Sequence, residues 1–213
     1  AQGEVMVSSN SNLAGVVVRG VDLDLLPKVV ELTKNIEVGK LEYLADPEKL
    51  RRLPPDEVIG LGSNGERFLR GPDNLDLPND LDPLVRAAVE LKPLRPGVII
   101  GRELAKTLHV YVGEEITLVS PLGDLGPMGV MPRTKKMRVA AIFFSGHYEF
   151  DATQVYALLP EVQSYFGFGE KATVIDIKVE DGERVEPVTE AVRAAVAHRK
   201  DLRVRDWREL NRS

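Results

Sequence analysis

Residues 121–132 (PLGDLGPMGVMP) constrain this chain more than any other stretch. They separate two strand-like runs, Glu115–Ser120 (EITLVS) and Met137–Phe144 (MRVAAIFF). A β-hairpin normally closes through about two to five residues, and this connection is far longer. Pro121, Pro127 and Pro132 lack backbone donors and fix φ, which bars the segment from the interior of a sheet. Gly123, Gly126 and Gly129 interrupt both helical and strand periodicity. Yet Leu122, Leu125, Met128, Val130 and Met131 make the segment apolar. A greasy segment excluded from regular structure either folds back as a plug or projects toward a partner. Burying one such side chain is worth about 1.5–3 kcal/mol, so several together suffice for an interface core. The basic run that follows, Arg133, Lys135, Lys136 and Arg138, has two readings. It is the solvated face of an edge strand, or a charged rim that steers an acidic partner onto the loop.

Composition narrows the function classes. The 213 residues are 43% hydrophobic, enough for one large or two small domains. A net charge of −5 argues against a general nucleic-acid binder. The absence of cysteine excludes disulfides, thiolate metal sites and cysteine nucleophiles. No apolar run approaches the roughly 18 residues that a membrane helix needs. Ala1-Gln2-Gly3 reads as a strand already under way, so the chain is expected to be a domain of a larger protein that holds membrane segments elsewhere.

Glu4–Ser8 and Ala14–Val21 flank the turn cluster Ser9-Asn10-Ser11-Asn12 and predict a hairpin. Asp24 to Asn35 predicts a short helix with Pro27 in its first turn. Prolines, Gly71 and four aspartates make residues 60–83 loop-rich. Val98–Gly101 is a buried strand leading into the helix Arg102–Leu108, with Leu104, Ala105 and Leu108 on one face. Gln154–Leu159 is a further strand, and Pro160–Tyr165 one helical turn. Val174–Val179 alternates as a strand does; Val185, Val188, Val192, Ala195 and Val196 carry helical spacing; Leu202–Val204 reads as a second strand. Together these last elements predict a βαβ-like unit completed by the first twenty-five residues, with the rest of the chain inserted between.

Catalytic constellations are thin. Gly60, Gly62 and Gly65 spell GxGxxG, but the required helix has no room before Gly71-Pro72, and Asn64-Gly65 is a turn dipeptide. Asp73, Asp76, Asp80 and Asp82 lack the spacing of a calcium loop. His109, His147 and His198 are scattered rather than placed as zinc ligands. Ser145 and His147 alone make no triad.

The pattern Gly97-Val98-Ile99-Ile100-Gly101-Arg102-Glu103-Leu104-Ala105, followed by Leu108 and Val112-Gly113-Glu114-Glu115-Ile116, resembles the extracytoplasmic domains of MacB-like permeases. Pro127-Met128-Gly129, then Met131-Pro132, is more specific. It resembles the hook of the periplasmic domain of LolC/LolE-type permeases, the lipoprotein-releasing ABC transporters, on the LolC side. Asp206-Trp207-Arg208-Glu209 resembles the segment that leads such a domain back to the membrane. The resemblance spans roughly residues 14–210 and is weakest at 40–92, where this chain carries an insertion.

This resemblance implies an α+β fold of two lobes with a protruding β-hairpin loop. Residues 1–25 plus 170–213 would form a Porter-like βαβ lobe lacking its first strand and helix. Residues 26–169 would form a Sabre-like mixed, β-rich lobe that carries the hook, 121–132. The resemblance further implies that the hook recruits LolA, the lipoprotein chaperone. Met128 would be its tip, Pro121 and Pro132 its bounds, and Leu122, Leu125, Pro127, Gly129, Val130 and Met131 its body. Pad positions beside it fall on Thr117, Thr134 and Lys135, with Arg133 and Lys136 as further charge. Thr117 is uncharged where the family pattern is basic or polar, and the loop is about one residue shorter. The implied partners are a lipoprotein, a LolE-like subunit or a second copy, and a LolD-like cytoplasmic ATPase. The chain itself has no Walker motif. No catalysis, cofactor, metal or nucleic acid is implied, and the location is the periplasmic face of the inner membrane. One rival shares the scaffold: a MacB-like domain that transmits motion for efflux or cell-wall hydrolase control and has no apolar hook. The other is a soluble enzyme using Ser145 and His147 or the glycines at 60–65.

Overall fold

A computed structural model describes residues 1–26, 31–62, 64–71, 93–126, 129–182 and 184–210. They fall into two compact units, 1–175 and 176–213. In the first unit the alternating valines near the start form β1 (Gln2–Ser8) and β2 (Leu13–Val21), antiparallel as their turn cluster predicts. The Ser9 amide donates to the Asn12 carbonyl across that turn, at 2.9 Å. The other strands are β3 (Ile36–Gly39), β4 (Val58–Leu61), β5 (Arg67–Leu69), β6 (Gly97–Gly101), β7 (Glu115–Gly126), β8 (Gly129–Phe143) and β9 (Gln154–Leu158). The fold is mixed α+β and rich in strand.

Strand pairing closes a ring. β1 pairs with β2, β2 with β9, β9 with β6, β6 with β8, β8 with β7, and β7 again with β1. The β2–β9 and β6–β8 contacts are parallel and the others antiparallel, while β3 adds to the far end of β8 at Ala141–Phe143. Within the ring each strand has a partner on both sides, which protects it from recruiting foreign strands.

Side chains alternate across a strand, so register and burial together separate inside from outside. Gly3 and Val5 of β1 face Val18 and Val16 of β2, Val7 faces Leu118 of β7, and Leu118 faces Lys135 of β8. Val5, Val7, Val16, Val18, Ile116, Leu118 and Met137 are all buried, which marks this set as the inner face. The helices are α1 (Glu42–Ala45), α2 (Pro47–Arg51), α3 (Arg102–Leu108), α4 (Tyr148–Thr153) and α5 (Leu159–Phe166). Helix α3 buries Leu104, Ala105 and Leu108, the face its spacing predicts, and ends at His109 in the left-handed region, φ 53°. Helix α5 comes close to β1 and β2 at two glycines. A Cβ on Gly3 would press into the Phe166 ring at 2.5 Å, and one on Gly20 would lie 3.0 Å from Val162 Cβ. Glycine at both positions leaves room for this close approach without a shift of the Phe166 ring or of the helix.

Of the expected Asp24–Asn35 helix, Leu26 is helical and Glu31–Lys34 form a 3-10 turn; residues 27–30 between them lie outside the described residues. In the second unit the helical spacing at 185–196 is realised as α6 (Val185–Ala195), and α7 (Trp207–Leu210) follows. Trp207 Nε1 donates to the Gly182 carbonyl at 3.0 Å, Arg193 bonds Glu209 at 2.6 Å, and Arg208 pairs with Glu186. Val174–Val179 and Leu202–Val204, expected as strands, are not strands, and Ile175 and Ile177 are 74% and 59% exposed. Alternation specifies a strand only where a neighbour satisfies its backbone, and no described strand pairs with either segment. The βαβ expectation is therefore corrected to a helix flanked by coil. β1 and β2, within residues 1–25, are built into the ring by their pairing with β7 and β9.

Candidate functional site

β7 and β8 continue past the ring. Their register is regular from Glu115–Arg138 to Ser120–Arg133, shifts, and resumes from Asp124–Met131 to Gly126–Gly129. Residues 121–123 thus stand opposite residue 132 alone, and Pro121 and Pro132 occupy the gap in the ladder where no donor is needed. The irregular 121–132 connection expected from sequence is corrected to a bulged, paired ladder. Leu122, Leu125, Gly129 and Val130 lie on these strands, and Met131 is 60% exposed. Pro127 and Met128 lie outside the described residues. Among the described residues, no third strand pairs with 120–133.

Gly123 makes this return possible. A Cβ there would lie 2.5 Å from the Met131 carbonyl carbon and 3.1 Å from the Arg133 nitrogen. Gly123→Ala is therefore expected to unpair 124–126 from 129–131 while leaving the ring intact. Amide hydrogen exchange should accelerate in that segment, and protection in β6 and β9 should not change.

The basic run does not form one rim, because consecutive strand residues point to opposite faces. Arg138 is 1% exposed and donates from Nη2 to Glu115 Oε1 at 2.7 Å. Arg133 and Lys135 follow the inner face and meet α5. Arg133 Nη1 donates to the Tyr165 carbonyl at 2.6 Å, and Tyr165 Oη donates to the Arg133 carbonyl at 3.1 Å. Lys135 Nζ donates to the Glu161 carbonyl at 3.1 Å and pairs with its carboxylate at 2.6 Å. That ion pair is partly exposed, so alone it contributes about 0–1 kcal/mol. Burial pushes the Tyr165 hydroxyl above its ordinary pKa, opposed by the Ser120 backbone and the Arg133 charge. Thr134 and Lys136 are exposed on the outer face, where Thr117 faces Lys136 and Val119 faces Thr134. The expected pad positions are thus divided, Thr117 and Thr134 outside and Lys135 inside.

The remaining candidates are placed as follows. Gly62 and Gly65 form the turn between β4 and β5: the Gly62 amide donates to the Glu66 carbonyl at 2.7 Å, and Gly65 has φ 79°. Ser145 Oγ donates to the buried Asp151 carboxylate at 2.7 Å and accepts the His147 backbone amide at 3.2 Å, so it is a structural hydroxyl. A cavity of about 310 Å³ beside it is lined mainly by Leu32, Phe143, Phe150 and Tyr156. Asp73, Asp76, Asp80 and Asp82 lie outside the described residues. Among the described residues, no group of three His, Asp or Glu side chains could hold a metal, and no helix is long and apolar enough to cross a membrane.

No family model matches the chain. Its curated relatives are transmembrane components of lipoprotein-releasing systems. One is the lipoprotein-releasing system transmembrane protein LolC of Neisseria meningitidis serogroup B, 30% identical over 129 residues, which cover 59% of this chain and 31% of the relative. Another is LolC of Xylella fastidiosa, 27% identical over 143 residues, covering 63% and 34%. The chain thus spans about a third of the length of the curated relatives it matches. Among solved structures, the extracellular domain of the noncanonic ABC-type transporter YknZ from Gram-positive bacteria aligns with a TM-score of 0.39 at 11% identity, over 93% of this chain and 72% of that one. That likeness is too low to support a conclusion.

Proposed function

We propose that this chain is the periplasmic domain of a lipoprotein-releasing ABC transporter permease. The end of its β7–β8 ladder is a hook that captures a LolA-like lipoprotein chaperone. One observation carries the reading: among the described residues, 124–126 and 129–131 pair with each other beyond the ring and with no third strand. The similarity to LolC proteins supports it. Met128 is the anchor, since a flexible, polarizable side chain suits a groove built for acyl chains. Leu122, Leu125, Val130 and Met131 support it, Pro121, Pro127, Gly129 and Pro132 shape it, and Thr117, Thr134 and Lys136 flank it. Lipoprotein is the cargo. A LolE-like subunit or a second copy completes the permease, and a LolD-like cytoplasmic ATPase drives it. The domain sits at the periplasmic face of the inner membrane and performs no catalysis. The smaller unit, 176–213, is read as a portion of a Porter-like lobe.

Titrating the chain with the LolA-like chaperone of the same organism tests this directly. Saturable binding is expected, and it should vanish when residues 122–131 are replaced by a two-residue turn. Binding that survives the replacement would overturn the hook. No binding by the intact chain would overturn chaperone capture and leave a motion-transmitting domain without a hook.

A further inference from the structure

We infer that Tyr165, with Arg133, Lys135 and Glu161, forms a bracket that fixes the direction of the β7–β8 hairpin and so presents the hook pre-oriented to its partner. The structural half rests on geometry alone; the consequence for capture rests on the proposed function.

The bracket sits where a hairpin of this kind would otherwise bend. Ser120–Arg133 is the last regular pair before the register shift, and bulges bend and twist a ladder. Beyond it, among the described residues, two strands remain, an arrangement of marginal rigidity by itself. The Tyr165 hydroxyl reaches both strands at that pair, donating to the Arg133 carbonyl and meeting the Ser120 backbone. Arg133 returns a bond to the Tyr165 carbonyl, and Lys135, two residues further into the ring, is held by Glu161. The spacings match. Glu161 and Tyr165 are four residues apart on one helix face, about 6 Å of rise. Arg133 and Lys135 are two apart on one strand face, about 6.6 Å. The helix can act as an anchor because Gly3 and Gly20 let it seat against β1 and β2.

The alternative use of these cations is direct attraction of an acidic partner. Arg133 and Lys135 are already committed to α5, so they act through the hairpin's orientation. Holding a binding element in one geometry before contact lowers the ordering cost of association.

The test combines two readouts on the intact chain: amide hydrogen exchange across 124–131, and affinity for the LolA-like chaperone. Tyr165→Phe keeps the ring and removes only the hydroxyl. Lys135→Glu and Glu161→Lys break the ion pair, and the double swap remakes it. Each single variant is expected to speed exchange about three- to tenfold, the range for one lost hydrogen bond. Affinity should fall by a similar factor, with protection in β6 and β9 unchanged, and the swap should recover both. Unchanged exchange in the Tyr165→Phe and single-charge variants would overturn the bracket. Faster exchange with wild-type affinity would overturn its part in capture. If the wild-type chain binds no chaperone, the hook reading fails, while exchange still decides whether the bracket exists.

Discussion

Met128→Glu is expected to weaken binding of a LolA-like chaperone at least tenfold and to leave the chain's thermal unfolding unchanged. Burying a methionine side chain is worth about 1.5–3 kcal/mol, and a tenfold loss is only about 1.4 kcal/mol. Glutamate does more than forfeit that burial, because its carboxylate must also shed water in an apolar groove. Met128→Leu, similar in volume and apolar, should keep most of the affinity. Exposed charges around the hook contribute about 0–1 kcal/mol each, so their removal should appear in the association rate and its salt dependence. The fold should be spared because, among the described residues, 124–126 and 129–131 pair with each other and with no strand of the ring. Calorimetric titration and a thermal melt of the same sample check both halves. Unchanged affinity would remove Met128 as the anchor.

Much of the ring was legible because its signals are local. Val98, Ile99 and Ile100 are consecutive and all buried, as a strand covered on both faces requires. Leu104, Ala105 and Leu108 sit one helical turn apart and pack inward as that spacing dictates. What failed depends on pairs of segments rather than single ones. The prolines at 121 and 132 predict a break in any strand, yet they share one gap in a ladder, a coincidence visible only once β7 and β8 are in register. The alternation at 174–179 was real but had no described strand beside it. Arg133, Lys135, Lys136 and Arg138 form one basic run in sequence, open to two readings, although pleating sends them to different faces and α5 claims two of them. Tyr165 carried no signal as a clamp, because a buried aromatic near a helix end looks like ordinary core. Its hydroxyl acquires meaning only from the two strands it meets.

Gly101→Ala is expected to destabilise the chain by about 1–3 kcal/mol, the range for forced overpacking, and toward its upper end because both neighbours are backbone. Conformation is not the reason. Gly101 has φ −73° and ψ 155°, which any residue adopts. The obstacle is α4: a Cβ at 101 would lie 2.6 Å from the Asp151 carbonyl carbon and as close to its Cα. Helix α4 cannot step back easily. The Asp151 side chain is fully buried and tied by the Ser145 amide at 2.9 Å and hydroxyl at 2.7 Å, while Phe150 packs edge-on against Phe143 at 5.9 Å. Gly101 cannot yield either, since it pairs with Phe143 across the parallel β6–β8 contact. Gly182→Ala is the control, because a Cβ there meets nothing within 4 Å and should change stability by about 0.5 kcal/mol or less. Urea midpoints of the two variants compare them directly. Similar midpoints would mean that α4 moves aside and that close backbone contact does not set its position. A large difference would identify the glycine between Ile100 and Arg102 as the residue that lets α4 pack against the end of β6, beside the start of α3.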